Sequence, residues 1–428
     1  MPLRRNIQSL LKKTFDFIHH NPDPEKYIKH PIFFSRERRL TFPIVATAIL
    51  NLFKESVEYN ISVLMQNFHL RPVSGAAFSL ARYKINLCFF KDLNKILIHY
   101  HQHSTKKLWK EYQLIAGDGS TVALPSSPQM KEYFGIHSKA ECGISNCLAQ
   151  TFILYDVFSE MVIDSRISKM EVSEKSLLRC CLSELPNSKA IFILDRGFGH
   201  FNVCKRFIEQ KRDFCIRMSG TNSTFGKTVM QQSSDDFIIE WKPSEKEKKT
   251  CSLHAQDSRP IKVRITKVRL KTGETEILVS SLYDMVVFSS SEMKDLYKLR
   301  WGVEEGFKKL KPKMKLEQFG SRKPEGVFQE FEAHIFMMNL VAILGCQAQS
   351  KIDVATKKRK LTYKFNWQNA FRYVRNRIVK LLYSEKADEL IEFLITNIAS
   401  SMVAVKPDRC FPRAEMRKNK SRAYQNYK

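Results

Sequence analysis

Four residues in the stretch LYKLRWGVEEGFKKLK could do chemistry together: Tyr297, Arg300, Glu304 and Lys311. At about 100° per residue on an α-helix they fall within about 60° of one another. Leu296, Leu299, Val303, Phe307 and Leu310 gather on the adjoining face. Such a helix would bury one stripe and present a carboxylate flanked by a phenol and two cations on the next. That set suits a metal-bound phosphodiester, with the acid holding the metal and the cations holding phosphates. Two further acids follow apolar runs: Asp118 in YQLIAGDGSTVALP and Asp195 in KAIFILDRGFGHF. Both read as acids at strand ends with a glycine just after, where a carboxylate projects from a rigid sheet edge. Each is ambiguous by itself, because an Asp-Gly after a strand is ordinarily a turn. Glu304 stands beside Glu305, and only the register of the quartet selects it. Asp156 and Asp164 read as edge or turn carboxylates.

The three blocks together, Asp118 in GDGST, Asp195 in LDRGF and Tyr297-x2-Arg300-x3-Glu304-x6-Lys311, resemble the DDE transposases of bacterial insertion sequences, specifically the insertion-sequence-four family. The resemblance spans residues 110 to 345, with looser similarity toward both ends. It implies that Asp118, Asp195 and Glu304 are the catalytic, metal-binding triad, and that Tyr297, Arg300 and Lys311 contact DNA phosphates. It also implies two Mg²⁺ ions, for which Mn²⁺ may substitute, since carboxylate and water ligands suit these ions rather than zinc. The implied activity is binding of terminal inverted repeats, hydrolytic cleavage of the ends and joining of the 3′-hydroxyls to target DNA. A hairpin intermediate with a base flipped from the stack, and a homodimer pairing two ends, belong to the same implication.

Composition agrees with a polyanionic partner. The 428 residues carry a net charge of +27, which points to double-stranded DNA. Residues 111–200 are the exception, with 8 basic and 11 acidic side chains, and they hold Asp118 and Asp195. A nuclease without strand transfer would share the triad without needing the large basic flanks. A nonenzymatic DNA-binding protein would explain the charge but not the quartet. The ten cysteines show no repeating metal-ligand spacing; Cys142 and Cys147 near His137 make only an irregular zinc pattern. Cys88, Cys180, Cys181, Cys204, Cys215 and Cys346 read as reduced core thiols, which fits a cytoplasmic location. The start lacks a signal-peptide pattern, and apolar runs such as AHIFMMNLVAILGC are too short to span a bilayer, so no membrane association is expected.

The elements that must position these residues follow from periodicity. Residues 1–105 read as a helical DNA-binding domain, in which RPVSGAAFSLARYK resembles the second half of a helix-turn-helix. That motif would place Ser79, Arg82 and Lys84 near DNA; a plain helical packing unit is the alternative. Residues 106–211 give three strands, a helix and a buried strand, the first part of a ribonuclease-H-like core. Residues 212–284 read as a β-rich insertion, with Lys246, Lys248 and Lys249 in a loop and with Arg217 and Arg264 as possible DNA contacts. Residues 285–350 complete the core with the catalytic helix, which Pro312 stops, and with a buried helix in which His334 reads as a core histidine. Residues 351–428 form a basic helical C-terminal region with a mobile tail. The expected class is α/β: a ribonuclease-H-like mixed sheet flanked by helices, interrupted by the insertion, with a helical N-terminal domain and a basic C-terminal segment.

Overall fold

The computed structural model describes residues 2–20, 23–36, 38–52, 54, 56–103, 107–139, 145–221, 223–254, 256–270, 273–383 and 387–406. Cys142 and the tail beyond 406 lie outside these residues. The apolar runs of the acidic segment form strands β1 (Gln113–Leu124), β2 (Ser138–Lys139), β3 (Ser145–Asp156), β4 (Val162–Lys169) and β5 (Ala190–Leu194). The β-branched stretches that follow form β6 (Asp213–Met218), β7 (Asp236–Trp241), β8 (Ile261–Arg269) and β9 (Thr275–Ser280). All nine belong to one mixed sheet, ordered β2-β3-β1-β5-β6-β9-β8-β7, with β4 also paired to β3. β1, β5 and β6 run parallel, and the other pairings are antiparallel.

The stretch expected to be a separate insertion therefore does not make its own sheet. β6 hydrogen-bonds in parallel to β5, and β9 pairs with β6, so β7 to β9 prolong the sheet sideways. Lys246, Lys248 and Lys249 lie on a helix, Glu245–Leu253, rather than in a loop. A capping box between Ser244 and Glu247 starts that helix by satisfying the first free N–H groups, a signal hidden in a lysine-rich run.

Helices cover both faces. On one face Glu174–Glu184 and Phe201–Glu209 bury Leu178, Cys181, Phe201 and Phe207 against Phe152, Phe192 and Phe214. On the other, Ser290–Lys298 and Trp301–Lys308 pack onto the sheet, and Pro324–Thr356 closes the core behind them. That last helix has 33 residues and by length and composition alone could cross a membrane, so the expectation of only short apolar runs does not hold. Its apolar window is 89% buried inside the fold, where the N-terminal helices and the helices after residue 366 share one apolar cluster with it. A two-stranded ribbon, β10 (Thr362–Phe365) and β11 (Met402–Val405), flanks that cluster.

Several expected contacts turn inward. Arg82 is 4% exposed; it donates to Glu330 Oε1 at 2.9 Å and to Gln329 Oε1 at 3.1 Å, so it ties the N-terminal helices to the long helix and does not face DNA. Arg264 is fully buried and grips Asp236 through two bonds of 2.8 and 2.6 Å. A buried guanidinium must be paired, and both arginines obey that rule. His334 is a core residue: its Nδ1 donates to the Glu330 carbonyl at 2.6 Å, and its Nε2 accepts from Lys54 at 2.8 Å. Cys181, Cys204 and Cys215 are buried free thiols, whereas Cys180 and Cys346 are exposed.

Candidate active site

Strand register brings the two aspartates together. β1 and β5 pair in parallel from Gln113 opposite Ala190 to Gly117 opposite Leu194. The next step of that register is Asp118 and Asp195. β5 ends there, but β1 runs on to Leu124 because β3 continues to pair with it, Asp118 opposite Ile153. Asp118 is thus a mid-strand residue and not a strand end, while its exposure on one side still comes from the loss of its parallel neighbour. Asp195 leaves the sheet as the cap of a single turn, Arg196–Phe198, and its Oδ1 accepts from the Gly197 N–H at 2.8 Å. Gly117 is required by packing: a Cβ there would meet Leu194 Cδ2 at 2.6 Å.

The helix of the quartet is not continuous. Ser290–Lys298 ends at Leu299, and Trp301–Lys308 begins after Arg300. Bonds of the i to i−3 kind at Leu299, Arg300, Gly302 and Val303 tighten the backbone between them. The second segment lies close on β3, where a Cβ at Gly302 would meet Val157 and one at Gly306 would meet Tyr155, both at 3.1 Å. Pro312 does not stop the chain at Lys311. It sits within a wide π turn, Lys309–Lys313, whose looser winding gives the ring room that an α-helix would deny it.

The quartet nonetheless gathers beside Asp118. Arg300, 9% exposed, donates through Nη2 to Glu304 Oε1 at 2.7 Å, and its Nη1 lies 3.8 Å from Asp118 Oδ2. One guanidinium thus links an acid of the sheet to the acid of the helix. Lys311 donates to Ser120 Oγ at 2.7 Å and to the Thr121 carbonyl at 2.5 Å, two and three residues along β1 from Asp118. Tyr297 is 7% exposed, and its hydroxyl has no hydrogen-bond partner among the described residues; the same holds for Arg300 Nε.

Electrostatics set Asp118 apart from an ordinary surface carboxylate. Burial, and then the neighbouring charge of Asp195, push the Asp118 carboxyl up to about 7 against the pull of Arg300 and the Gly119 N–H. Burial and Asp195 also push up Glu174, an acid the sequence reading did not single out. Glu174 is the first residue of its helix, capped by Ser173, and it accepts from Gln150 Nε2 at 2.8 Å. Its carboxylate lies over Gly119, where a Cβ would meet Glu174 Oε1 at 2.0 Å. The only sequence signal was the second glycine of GDG, which reads as a turn until the strand is seen to run through it.

Among the described residues no three His, Cys, Asp or Glu side chains stand close enough to hold an ion as they are. The donor chemistry nevertheless fits a hard divalent cation: the donors are carboxylates, Asp118 is raised by burial and then by the charge of Asp195, and a guanidinium spans Asp118 and Glu304. The acids Asp156 and Asp164 are engaged elsewhere. Asp156 accepts from Gln113 at 2.7 Å and from the turn N–H groups of Phe158 and Ser159, and Asp164 pairs with Arg166 at 2.9 Å. Arg217 pairs with Glu276 at 2.5 Å.

Residues 109–340, more than half of the chain, match the family described as the transposase DDE domain. The chain is similar to the transposase InsG for insertion sequence element IS4 of Escherichia coli (strain K12), 23% identical over 247 residues, 56% of this chain and 54% of that protein. It therefore spans about half the length of this curated relative. Among solved structures it is similar to the piggyBac transposase synaptic complex with hairpin DNA, at 12% identity and a TM-score of 0.46, over 91% of this chain and 85% of that one.

Proposed function

The chain belongs to the transposase DDE domain family, in its insertion-sequence-four branch, and from that premise we propose that it binds the terminal inverted repeats of an insertion sequence, cleaves the ends and joins the 3′-hydroxyls to target DNA. One observation carries the proposal. The parallel register sets Asp118 beside Asp195, and Arg300 links Asp118 to Glu304, which supports reading the three motif acids as parts of one site. The sheet order β4-β3-β1-β5-β6, with the first acid on β1 and the second just after β5, supports a ribonuclease-H-like core.

Asp118, Asp195 and Glu304 would hold two Mg²⁺ ions, or Mn²⁺ in their place, with Glu174 adding negative charge from the opposite face of β1. When bound, such ions supply Lewis acidity and an activated water or 3′-hydroxyl for in-line displacement. The chain's own contribution is orientation. Asp118 and Asp195 are fixed by backbone, and Glu304 is steadied by Arg300. Lys311 and Arg300 offer cations to phosphates next to the acids, and the unpartnered hydroxyl of Tyr297 is available to a phosphate oxygen. The basic flanks, residues 1–105 and 351–428, hold duplex DNA, and a homodimer pairs two ends in the cytoplasm.

The test is cleavage of a plasmid carrying the element's own ends, with Mg²⁺, by the wild-type chain and by Glu304→Ala. Nicking and strand joining by the wild type alone support the proposal; a wild type that binds these ends but never cuts them refutes it. Sedimentation with end DNA checks the dimer, and a one-protein, one-end complex that completes joining contradicts it.

A further inference from the structure

A cavity of about 770 Å³ opens on the side of the sheet that carries Glu174, and none of the three motif acids lines it. Its volume is that of a ligand pocket, roughly 300–1,000 Å³, and far too small for a duplex. Ser173 and Lys175, on either side of Glu174, line it, as does His200, five residues after Asp195. Four helices begin at its wall, with cap residues Ser173, His200, Ser223 and Ser244. Helix starts present N–H groups and positive dipole ends toward an anion.

The side chains are unbalanced in the same sense. Lys175, Arg179, Arg206, Lys242 and Lys246 line the cavity against two acids, Glu240 and Glu247. Among the described residues none of the five cations makes an ion pair. Instead, cations lean on neutral histidines: Arg179 donates to His254 Nδ1 at 2.6 Å, and Lys175 donates to His200 Nε2 at 3.3 Å. Burial, and then the adjacent Arg179, hold the Arg206 guanidinium below its ordinary value, the mark of like charges left together. Trp241 lines the cavity at 1% exposure, and its indole N–H has no acceptor among the described residues.

We propose that this cavity binds the phosphates of an unpaired DNA strand on the sheet face that carries Glu174, with Arg179 and Arg206 as its principal phosphate contacts. The chemistry is that of a nucleotide phosphate, and a strand is favoured over a free nucleotide because the cavity starts one residue from Glu174. The inference rests on the transposase reading above.

The experiment uses the full chain and labelled duplexes of one sequence, either blunt or carrying a short single-stranded tail, with affinity measured over a range of salt. The double variant Arg179→Ala/Arg206→Ala should bind the tailed duplex with a log–log salt slope smaller by about 1.4, at about 0.7 per lost single-strand contact, and bind the blunt duplex as the wild type does. Arg179→Lys/Arg206→Lys should keep the wild-type slope, which separates charge from folding. An unchanged slope on the tailed duplex, or an equal loss on the blunt one, overturns the proposal. So does displacement of the tail by a stoichiometric amount of free mononucleotide, which would make the cavity a nucleotide site. Strand cleavage is scored separately: a wild type that never cuts defeats the transposase reading, whereas an unaltered slope defeats only the cavity.

Discussion

Asp118 and Asp195 are placed by the strands that carry them, whereas Glu304 and Lys311 are placed by what their own side chains reach: Arg300 for the first, and Ser120 Oγ with the Thr121 carbonyl for the second. The aspartates sit one register step past the last hydrogen-bonded pair of β1 and β5, so their spacing follows from the sheet. Glu304 rides on a short segment between a tightened turn and a π turn, and it is steadied by Arg300. Lys311 reaches β1 only because the π turn redirects it. A site built this way has a rigid half and an adjustable half. The rigid half suits ligands that must keep a fixed separation, and the adjustable half suits contacts that exchange partners on binding.

The largest expected effect tests whether both halves are needed. Asp118→Asn, Asp195→Asn and Glu304→Gln should each lower end cleavage by on the order of 10³-fold or more, while Glu305→Gln stays near wild type. Equal activity of the Glu304 and Glu305 variants in a cleavage assay would remove the helix from the site altogether.

Gly119→Ala probes the rigid half from its other face. The new Cβ would overlap the Glu174 carboxylate, and displacing that group should cost roughly 10²-fold in cleavage with little change in thermal stability. If Glu174→Ala in the same chain restores nothing, the loss comes from β1 and not from Glu174.

The adjustable half depends on a buried clamp. Lys309 donates to the Tyr155 hydroxyl at 2.9 Å and pairs with Glu160 at 3.0 Å, and Glu160 accepts from Trp367 Nε1 at 2.7 Å. Lys309→Met leaves Glu160 unpaired and should cost about 3–5 kcal/mol, much of it recovered in Lys309→Met/Glu160→Gln. Burial holds the Lys309 ammonium down to about 8 from 10.5. Between those values the unfolded chain binds more protons than the folded one. The wild type should therefore gain stability relative to Lys309→Met as pH rises from 8 to 10.5, with no such trend below 8. Denaturant melts across that range decide it.

The smallest effect sharpens the reading of the phenol. Tyr297→Ala should cost about 3–5 kcal/mol as a buried aromatic, whereas Tyr297→Phe should leave the DNA-free protein unchanged or stabilise it by up to about 1 kcal/mol, because the hydroxyl has no partner. A loss of DNA affinity in Tyr297→Phe would assign the hydroxyl to phosphate. Unchanged affinity would leave Tyr297 as packing alone.

Motif order was legible without coordinates. Asp118, Asp195 and the spaced quartet could be picked out because chemistry constrains residue type and interval, and the strands around them because apolar runs bounded by turn residues form strands locally. The charge imbalance was likewise a property of composition. The roles of Arg82 and Arg264 stay open in the sequence, because it does not show which acid, at positions 330 and 236, will fold back to neutralise a cation. Glu174 was passed over for the same reason, since its place over Gly119 depends on a helix returning across β1.

The sequence by itself thus determined which groups could do the chemistry and which segments pair their backbone locally. Only the tertiary structure decided that β1 runs through Asp118, that the helix of the quartet breaks at Arg300 and widens at Pro312, and that four helix starts converge on one cationic cavity. The physical reason is range. Propensity and periodicity act within a few residues, but strand termination, buried ion pairs and helix convergence depend on partners brought from far along the chain by packing.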